Sequence, residues 1–333
     1  MCTSLGIQSK EGNYYWGRTQ EFDFSLDYYG GLIPRGYQVK QTLTPFSSKY
    51  AALGIVINKH AMLADGVNEN GLCGGTFYFG NYNKYIAEER VREMGKTPIR
   101  GEEICTWVLL NYASVADIRE HLNQDVAVAD TPGEFGISLP QHCVFLDESG
   151  DCVVIEPSLD GEFKIFDNPV GVMTNTPPFD WQMINLENYA NLNSAIYPCV
   201  TMDKHEIFSP GKGSGLLGMP GDYSSASRFI RVAYLKYLAD QSNDQSAVED
   251  IFHILNSFDI PKGVVKTPGP LGTQTTHYTS SYDVKQRQCY VHLYSNRAMQ
   301  TFKMDEKLFD SDRMHFYGLN YHQQIMEAPE IDG

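Results

Sequence analysis

MCTSLGIQSKEGNYYWGRTQE, residues 1–21, is the stretch whose reading decides this chain. Thr3–Ile7 leads through the polar run Lys10-Glu11-Gly12-Asn13 into Tyr14-Tyr15-Trp16-Gly17-Arg18, which reads as a β-hairpin with the N-terminus on its first strand. A turn near residues 11–12 sets Arg18 and its neighbours about opposite Thr3–Gly6. Cys2 follows Met1, and methionine is commonly trimmed before a small residue. Trimming would leave Cys2 with a free α-amine beside its thiol. A free thiol titrates near about 8.5 and an α-amine at about 7.7–8.0, so one residue would hold nucleophile and base together. Alone, Cys2 is any small second residue; the rest of the sequence makes it more.

Further strands are expected at Tyr37–Leu43, Tyr50–Ile57, Ala61–Asp65 and Leu72–Phe79. Helices follow at Glu102–Tyr112 and, from Ser114 as cap, over Val115–Leu122. Gln141–Asp147 and Cys152–Pro157 read as a strand pair, and Phe163–Phe166 with Val170–Thr174 as another. Helices return at Pro178–Tyr189, Ser225–Leu238 and Ala247–Phe258. The meander Thr276–Ser281, Gln288–Tyr294 and Ala298–Lys303 comes last. Strands and helices in alternating blocks, with no linker tract or repeat, point to layered α+β in one domain, 1–333: two helix layers over two sheets.

Composition narrows the function. A net charge of −15 disfavours nucleic acid and anionic membranes as partners, though not a small anionic substrate in a basic pocket. Residues 1–12 carry no apolar signal region, and no run of 18 apolar residues occurs. Seven scattered cysteines without a CxxC pair argue against a disulfide framework or zinc, and for a reduced, cytoplasmic protein. No HExxH motif or helically spaced His pair suggests a metal; His142 and His277 read as core or near-core histidines. Gly213-Ser-Gly215-Leu-Leu-Gly218 spells a dinucleotide fingerprint but is flanked by loop on both sides, so a glycine-rich substrate-side loop is the better reading.

A nucleophile at Cys2 needs a cationic neighbour for the thiolate, an acceptor for the amine and an oxyanion hole. Arg18 and Glu21 are candidates for the first two; on an arbitrary hairpin they would be an exposed ion pair on an edge strand. Asn175, ending a strand before Pro177-Pro178, is either a helix N-cap or an amide donor for an oxyanion. Arg228 lies one turn into a helix capped at Ser224 or Ser225, where the dipole slightly disfavours a cation.

The ordered motifs Cys2-Thr3-Ser4, Gly17-Arg18-Thr19 with an acid at 21, Asp65-Gly66-Val67-Asn68-Glu69-Asn70-Gly71-Leu72, Val172-Met173-Thr174-Asn175, and Gly218-Met219-Pro220-Gly221-Asp222 through Ser227-Arg228-Phe229 closely resemble the choloylglycine hydrolase family of penicillin V acylases and conjugated bile salt hydrolases. The resemblance spans nearly the whole chain. It implies an N-terminal-nucleophile hydrolase fold, a four-layer αββα sandwich of two antiparallel sheets between helix layers. It also implies loss of Met1, Cys2 as nucleophile, Arg18, Asn175 and Arg228 in the site, no cofactor, and a homo-oligomer, a tetramer. The family pattern has Asp at position 21; here it is Glu21, with Asp23 nearby. One added methylene shifts the carboxylate by roughly an ångström, an error that can cost about 10²-fold in rate.

Within the family, Gly75-Thr76-Phe77-Tyr78-Phe79 and Asp259-Ile260-Pro261-Lys262-Gly263-Val264-Val265 resemble the acylase branch. The expectation is a penicillin V acylase-like amide hydrolase, with the backbone N–H of Tyr78 or its neighbour Phe77 joining Asn175 in the oxyanion hole. The alternatives are a conjugated bile salt hydrolase and a weakly active small-molecule binder of the same fold.

Overall fold

The computed structural model describes residues 1–24, 26–134, 136–267 and 272–331. Among them, two antiparallel sheets face each other between helices. The first has seven strands: Val172–Met173, Cys2–Gln8, Tyr14–Phe22, Thr273–Asp283, Gln288–Leu293 and Gln300–Lys303 in spatial order, with Val265–Lys266 paired onto Thr273–Asp283. The second has eight: Phe163–Asp167, Cys152–Pro157, Gln141–Leu146, Cys73–Tyr78, Leu63–Asn68, Ala52–Ile57, Tyr28–Ile33 and His315–Tyr317.

The N-terminal hairpin forms as its sequence dictates. Gly12 takes φ +88°, a conformation other residues rarely adopt, and closes the turn with N–H donation to Ser9 O at 3.0 Å. The register then pairs Cys2 with Gln20, Thr3 with Thr19 and Ser4 with Arg18. Neither strand is an edge, because Val172–Met173 flanks the first and Thr273–Asp283 the second. That is the physical reason Arg18 and Glu21 are buried rather than an exposed pair.

Alternation sorts the second strand's side chains between two faces. Gly17 faces the outer helices: a Cβ there would sit 2.5 Å from Ile251 Cγ2 and 2.8 Å from Ser280 O. Trp16 faces the opposing sheet, over Gly75, where an added Cβ would meet its ring at 2.9 Å. Helix Ala247–Asn256 buries Ala247, Val248, Ile251, Phe252 and Leu255, a helical stripe that covers the first sheet's outer face beside helix Ser225–Leu238. Helices Ile104–Asn111 and Val115–Asp125 cover the second sheet with their own apolar cluster. The layers are therefore αββα, as expected.

Several expected elements differ. Tyr37–Leu43 alternates in sequence, yet only Gln38–Val39 is strand, paired with Phe46–Ser47 outside both large sheets. Val172–Met173 does not pair with Phe163–Asp167; it crosses to the first sheet and binds Ser4 and Leu5, while Phe163–Asp167 joins Cys152–Pro157. Tyr28–Ile33 was not anticipated because it carries Gly30-Gly31, which admit Phe302 and Val56 closely. Gly213–Gly218 is loop around a single turn Ser214–Leu216, as its flanks suggested.

Candidate active site

Cys2 lies where the first sheet meets the cavity between the layers. Its backbone N–H donates to Asn175 Oδ1 at 2.7 Å. Its thiol approaches Gln20 Oε1 at 3.7 Å. The same Gln20 oxygen accepts from Arg18 Nη2. Gln20 thus couples the sulfur to the guanidinium, a connection that follows from its place directly opposite Cys2.

Arg18 is fully buried. Burying a cation is costly unless its donors are satisfied. Here Nη1 donates to Thr76 O at 2.6 Å and Ala64 O at 3.2 Å, Nε donates to Thr19 O at 3.2 Å, and Asp65 Oδ2 lies 3.8 Å from Nε. Phe77 stacks 4.6 Å from the guanidinium carbon. Nearby anionic groups hold Arg18 firmly charged against its desolvation, which pulls the other way. Asp65 in turn accepts from Tyr278 and Tyr282 hydroxyls and from Ser280 Oγ at 3.1 Å, tying the two sheets together beneath the site.

Arg228 approaches from the other face of the first sheet. It donates to Asn175 Oδ1 at 2.8 Å, Thr3 Oγ1 at 2.7 Å, Tyr223 O at 2.9 Å and Cys2 O. Ser224 Oγ caps its helix through Ser227 N. Asn175 is not an N-cap; the following helix is Phe179–Glu187, with Pro178 in that position. Its Oδ1 receives both Cys2 N and Arg228, its backbone N–H is held by Ser225 Oγ at 2.9 Å, and its Nδ2 donates to Tyr78 O at 3.0 Å.

Glu21 faces the helix side, one residue out of phase with Gln20. Its Oε1 accepts from Thr276 Oγ1 at 3.1 Å, and its buried Oε2 has no partner. Burial raises its pKa, opposed by the N-terminal ammonium and Arg228. Met1 bears that ammonium, which donates to the backbone carbonyl of Glu21 at 2.9 Å and to Gln274 Oε1 at 3.3 Å, not to the Glu21 carboxylate. Burial lowers the ammonium's pKa.

The thiol lines a cavity walled by Phe22, Leu26, Ile57, Leu63 and Leu139, with Tyr78 also on its rim. Phe77, anticipated on the substrate side, does not line it; it is fully buried beneath Arg18. Asp23 lies in a neighbouring cavity with Thr276 and His277. Sequence reading missed Gln20, although hairpin register alone pairs it with Cys2. It also assigned no role to Asp65 or Thr76, and read Ser225 only as a candidate helix cap. His142 is buried against Glu156 and Thr174 O, and His277 Nδ1 lies 3.0 Å from Tyr28 hydroxyl, so both are structural as expected. Among the described residues, no group of three or more His, Cys, Asp or Glu is placed to hold a metal.

A family model described as "Linear amide C-N hydrolases, choloylglycine hydrolase family" matches residues 2–317. The chain is 31% identical over 328 residues to the bile salt hydrolase/transferase of Clostridium perfringens, covering 96% of this chain and 97% of that protein. It is 29% identical to a conjugated bile acid hydrolase of Lactobacillus gasseri, covering 95% and 100%. Among solved structures, the C2A mutant of conjugated bile acid hydrolase from Clostridium perfringens matches with a TM-score of 0.90 at 30% identity, over 99% of this chain and 100% of that one. Penicillin V acylase from Agrobacterium tumefaciens matches with a TM-score of 0.74 at 17% identity, over 95% and 90%, a likeness of fold.

Proposed function

Because the chain belongs to the choloylglycine hydrolase family of linear amide C–N hydrolases, with the N-terminal-nucleophile fold, we propose that Cys2, freed of Met1, is its nucleophile. One observation carries this: the nitrogen and sulfur of Cys2 are each fixed by a separate side chain, Asn175 and Gln20, with the sulfur facing an apolar cavity.

In the proposed cycle the α-amine takes the thiol proton, and Sγ bonds to the amide carbonyl carbon. The resulting oxyanion needs preorganised donors. A side-chain amide has two N–H groups. One on Asn175 Nδ2 binds Tyr78 O, leaving the second for the oxyanion, with the Tyr78 backbone N–H as its partner. Arg228 fixes Asn175 by bonding Oδ1, which orients Nδ2 toward the cavity side. Collapse breaks the C–N bond, and the α-ammonium gives its proton to the leaving amine. Water then attacks the thioester carbon as the α-amine takes its proton, the C–S bond breaks to release the acid, and the α-ammonium returns the proton to Sγ. Arg18, through Gln20, supplies positive charge beside the thiolate; Glu21 supplies an acceptor on the amine's side.

The substrate reading is an amide joining an apolar acyl body to a small polar amine. Relatives named as bile salt or bile acid hydrolases at 29–31% identity favour a conjugated bile acid. The aromatic run Gly75–Phe79 keeps a phenoxyacetyl amide such as penicillin V as the second reading. Assaying both amides side by side separates them. Cys2→Ala should abolish turnover of whichever is cleaved while native-like unfolding is retained. Activity that survives Cys2→Ala would overturn the nucleophile, and intact mass of active protein should lack one methionine.

We also infer a homo-oligomer, a tetramer by family resemblance. The hairpin Val200–Met202/His205–Ile207 supports assembly, since it exposes Val200, Met202 and Ile207 beside Phe208. Light scattering on purified protein tests it. A reducing, cytoplasmic setting is supported by seven unpaired cysteines. No helix among the described residues is long and apolar enough to cross a membrane.

A further inference from the structure

His142 touches both segments that would form the oxyanion hole. It stands on strand Gln141–Leu146, opposite Phe77 in the register of the second sheet. Its ring stacks on Phe79, the residue after Tyr78, with centroids 4.2 Å apart and planes at 19°. Its Nε2 lies 3.2 Å from the carbonyl oxygen of Thr174, the residue before Asn175. One side chain therefore bridges the two segments whose separation fixes where an oxyanion would sit. It does not itself line the cavity at Cys2.

The bonding of the imidazole follows from its partners. A carbonyl oxygen only accepts, so Nε2 carries a hydrogen and donates to Thr174 O. Nδ1 is left to Glu156 Oε1 at 3.2 Å, and a proton between those two atoms completes the bond. The same Glu156 oxygen accepts the Phe179 N–H at 2.9 Å, beyond Asn175. One bonded pair thus pins the loop both before and after Asn175. Ser225 Oγ and Gln182 Nε2 hold the backbone of Asn175 itself from the helix side; His142 and Glu156 add a backbone tie to the second sheet, where Tyr78 stands. Both side chains are buried, His142 wholly and Glu156 at 4% exposure. Replacing a buried polar pair by packed apolar residues is often neutral for stability. Apolar residues could not supply direction, since only hydrogen bonds aim at fixed backbone atoms.

We propose that His142, held by Glu156, is a positioning residue that sets the gap between Asn175 Nδ2 and the Tyr78 backbone N–H, so that both donors meet one oxyanion; this rests on the oxyanion hole of the reading above. Placement of that kind matters for rate: a misplacement of about 1 Å can cost about 10²-fold, and complete loss of one oxyanion donor about 10²–10³-fold.

The test compares two substitutions that each keep half of the imidazole's bonding. Glutamine carries an amide nitrogen near the Nε2 position and can still donate to Thr174 O. Asparagine reaches only the Nδ1 position and can still bond Glu156. On whichever amide is cleaved, His142→Asn should lower kcat roughly tenfold with KM little changed, the pattern of an interaction used in the transition state. His142→Gln should lose less. Alkylation of Cys2 by iodoacetamide forms no oxyanion and should keep its native rate in both; alkylation that slows in step with kcat means general loosening and overturns the proposal. Added to Asn175→Ala, His142→Asn should cost little further, because it acts through Asn175; losses that multiply overturn it. Glu156→Gln, which keeps an acceptor for Phe179 N–H, serves with the same expected pattern if the asparagine variant does not fold. Native kcat in His142→Asn beside a slow Asn175→Ala overturns the proposal alone, whereas native kcat in Asn175→Ala removes the oxyanion hole and the proposal with it. If no amide is cleaved, the hydrolase reading fails, and the side-chain amide signal of Asn175 in a ¹⁵N spectrum decides His142 separately. A larger shift in His142→Asn than in His142→Gln supports positioning, and equal shifts or none overturn it.

Discussion

Glu21 carries the clearest residue-level tension: one carboxylate oxygen is bonded to Thr276 and the other is buried without a partner. That oxygen is an acceptor free for the ammonium that the proposed loss of Met1 would create. Glu21→Gln removes the charge and should lower kcat about tenfold, the worth of one charge-assisted bond. Glu21→Asp should raise kcat if the longer side chain serves imperfectly. Kinetics identical to native in both variants would move the role to Asp23. Asp65 acts one step further back. Asp65→Asn leaves Arg18 without its buried counter-charge and should cost about 3 kcal/mol in urea unfolding. It should also shift the pH profile of Cys2 alkylation, which a purely structural role would leave alone. At this scale the sequence was informative where chemistry is local. Arg18 and Glu21 share one hairpin with Cys2, whereas Gln20 on the same hairpin was passed over. The part of Asp65 was hidden because its partners Tyr278, Ser280 and Tyr282 lie more than 200 residues along the chain.

Elements behave similarly. The hairpin and helix Ser225–Leu238 were legible because turn residues and caps are short-range signals. Val172–Met173 was not: two residues carry no period, and their place is set by pairing with Ser4 and Leu5. Asn175 reaches Cys2 only through that crossover. The hairpin's close fit yields a stability prediction. Gly17→Ala would drive a methyl into Ile251 and the Ser280 carbonyl, and should destabilise by about 2–3 kcal/mol through overpacking. Removing the cap with Ser224→Ala should cost about 1 kcal/mol, since its oxygen satisfies the Ser227 N–H. Both follow from thermal unfolding. The cap variant should also weaken activity, because Arg228 is carried on that first turn.

Across the whole molecule, two histidines tie stability to pH. Burial depresses His277 from 6.5 to about 4 and His292 from 6.5 to about 3. Both are neutral when folded near neutrality, so below pH 6.5 the unfolded chain binds more protons. Their contribution is complete above pH 6.5 and is lost as pH falls through 6.5 toward 4 and 3. Each gives a slope of up to about 1.4 kcal/mol per pH unit in that window. His277→Gln should flatten the acid limb of urea stability between pH 6 and 4. Layering was readable from the block order of strands and helices. Strand order was not, since Tyr14–Phe22 lies beside Thr273–Asp283, a neighbour supplied by the far end of the chain.

That neighbour also governs timing. Met1 is held by Glu21 O and by Gln274, a residue translated near the end of synthesis. An aminopeptidase must take an extended N-terminus into its own cleft, and a terminus clamped by the late strand is no longer extended. The proposed trimming of Met1 would therefore fall in the interval while the chain is still emerging, before residue 274 exists to close over it. Chain refolded with Met1 in place should resist aminopeptidase for as long as it stays folded, and should lose the methionine promptly in denaturant. Overexpression that outruns the cell's aminopeptidase would then yield a permanently silent fraction, well folded and indistinguishable by size.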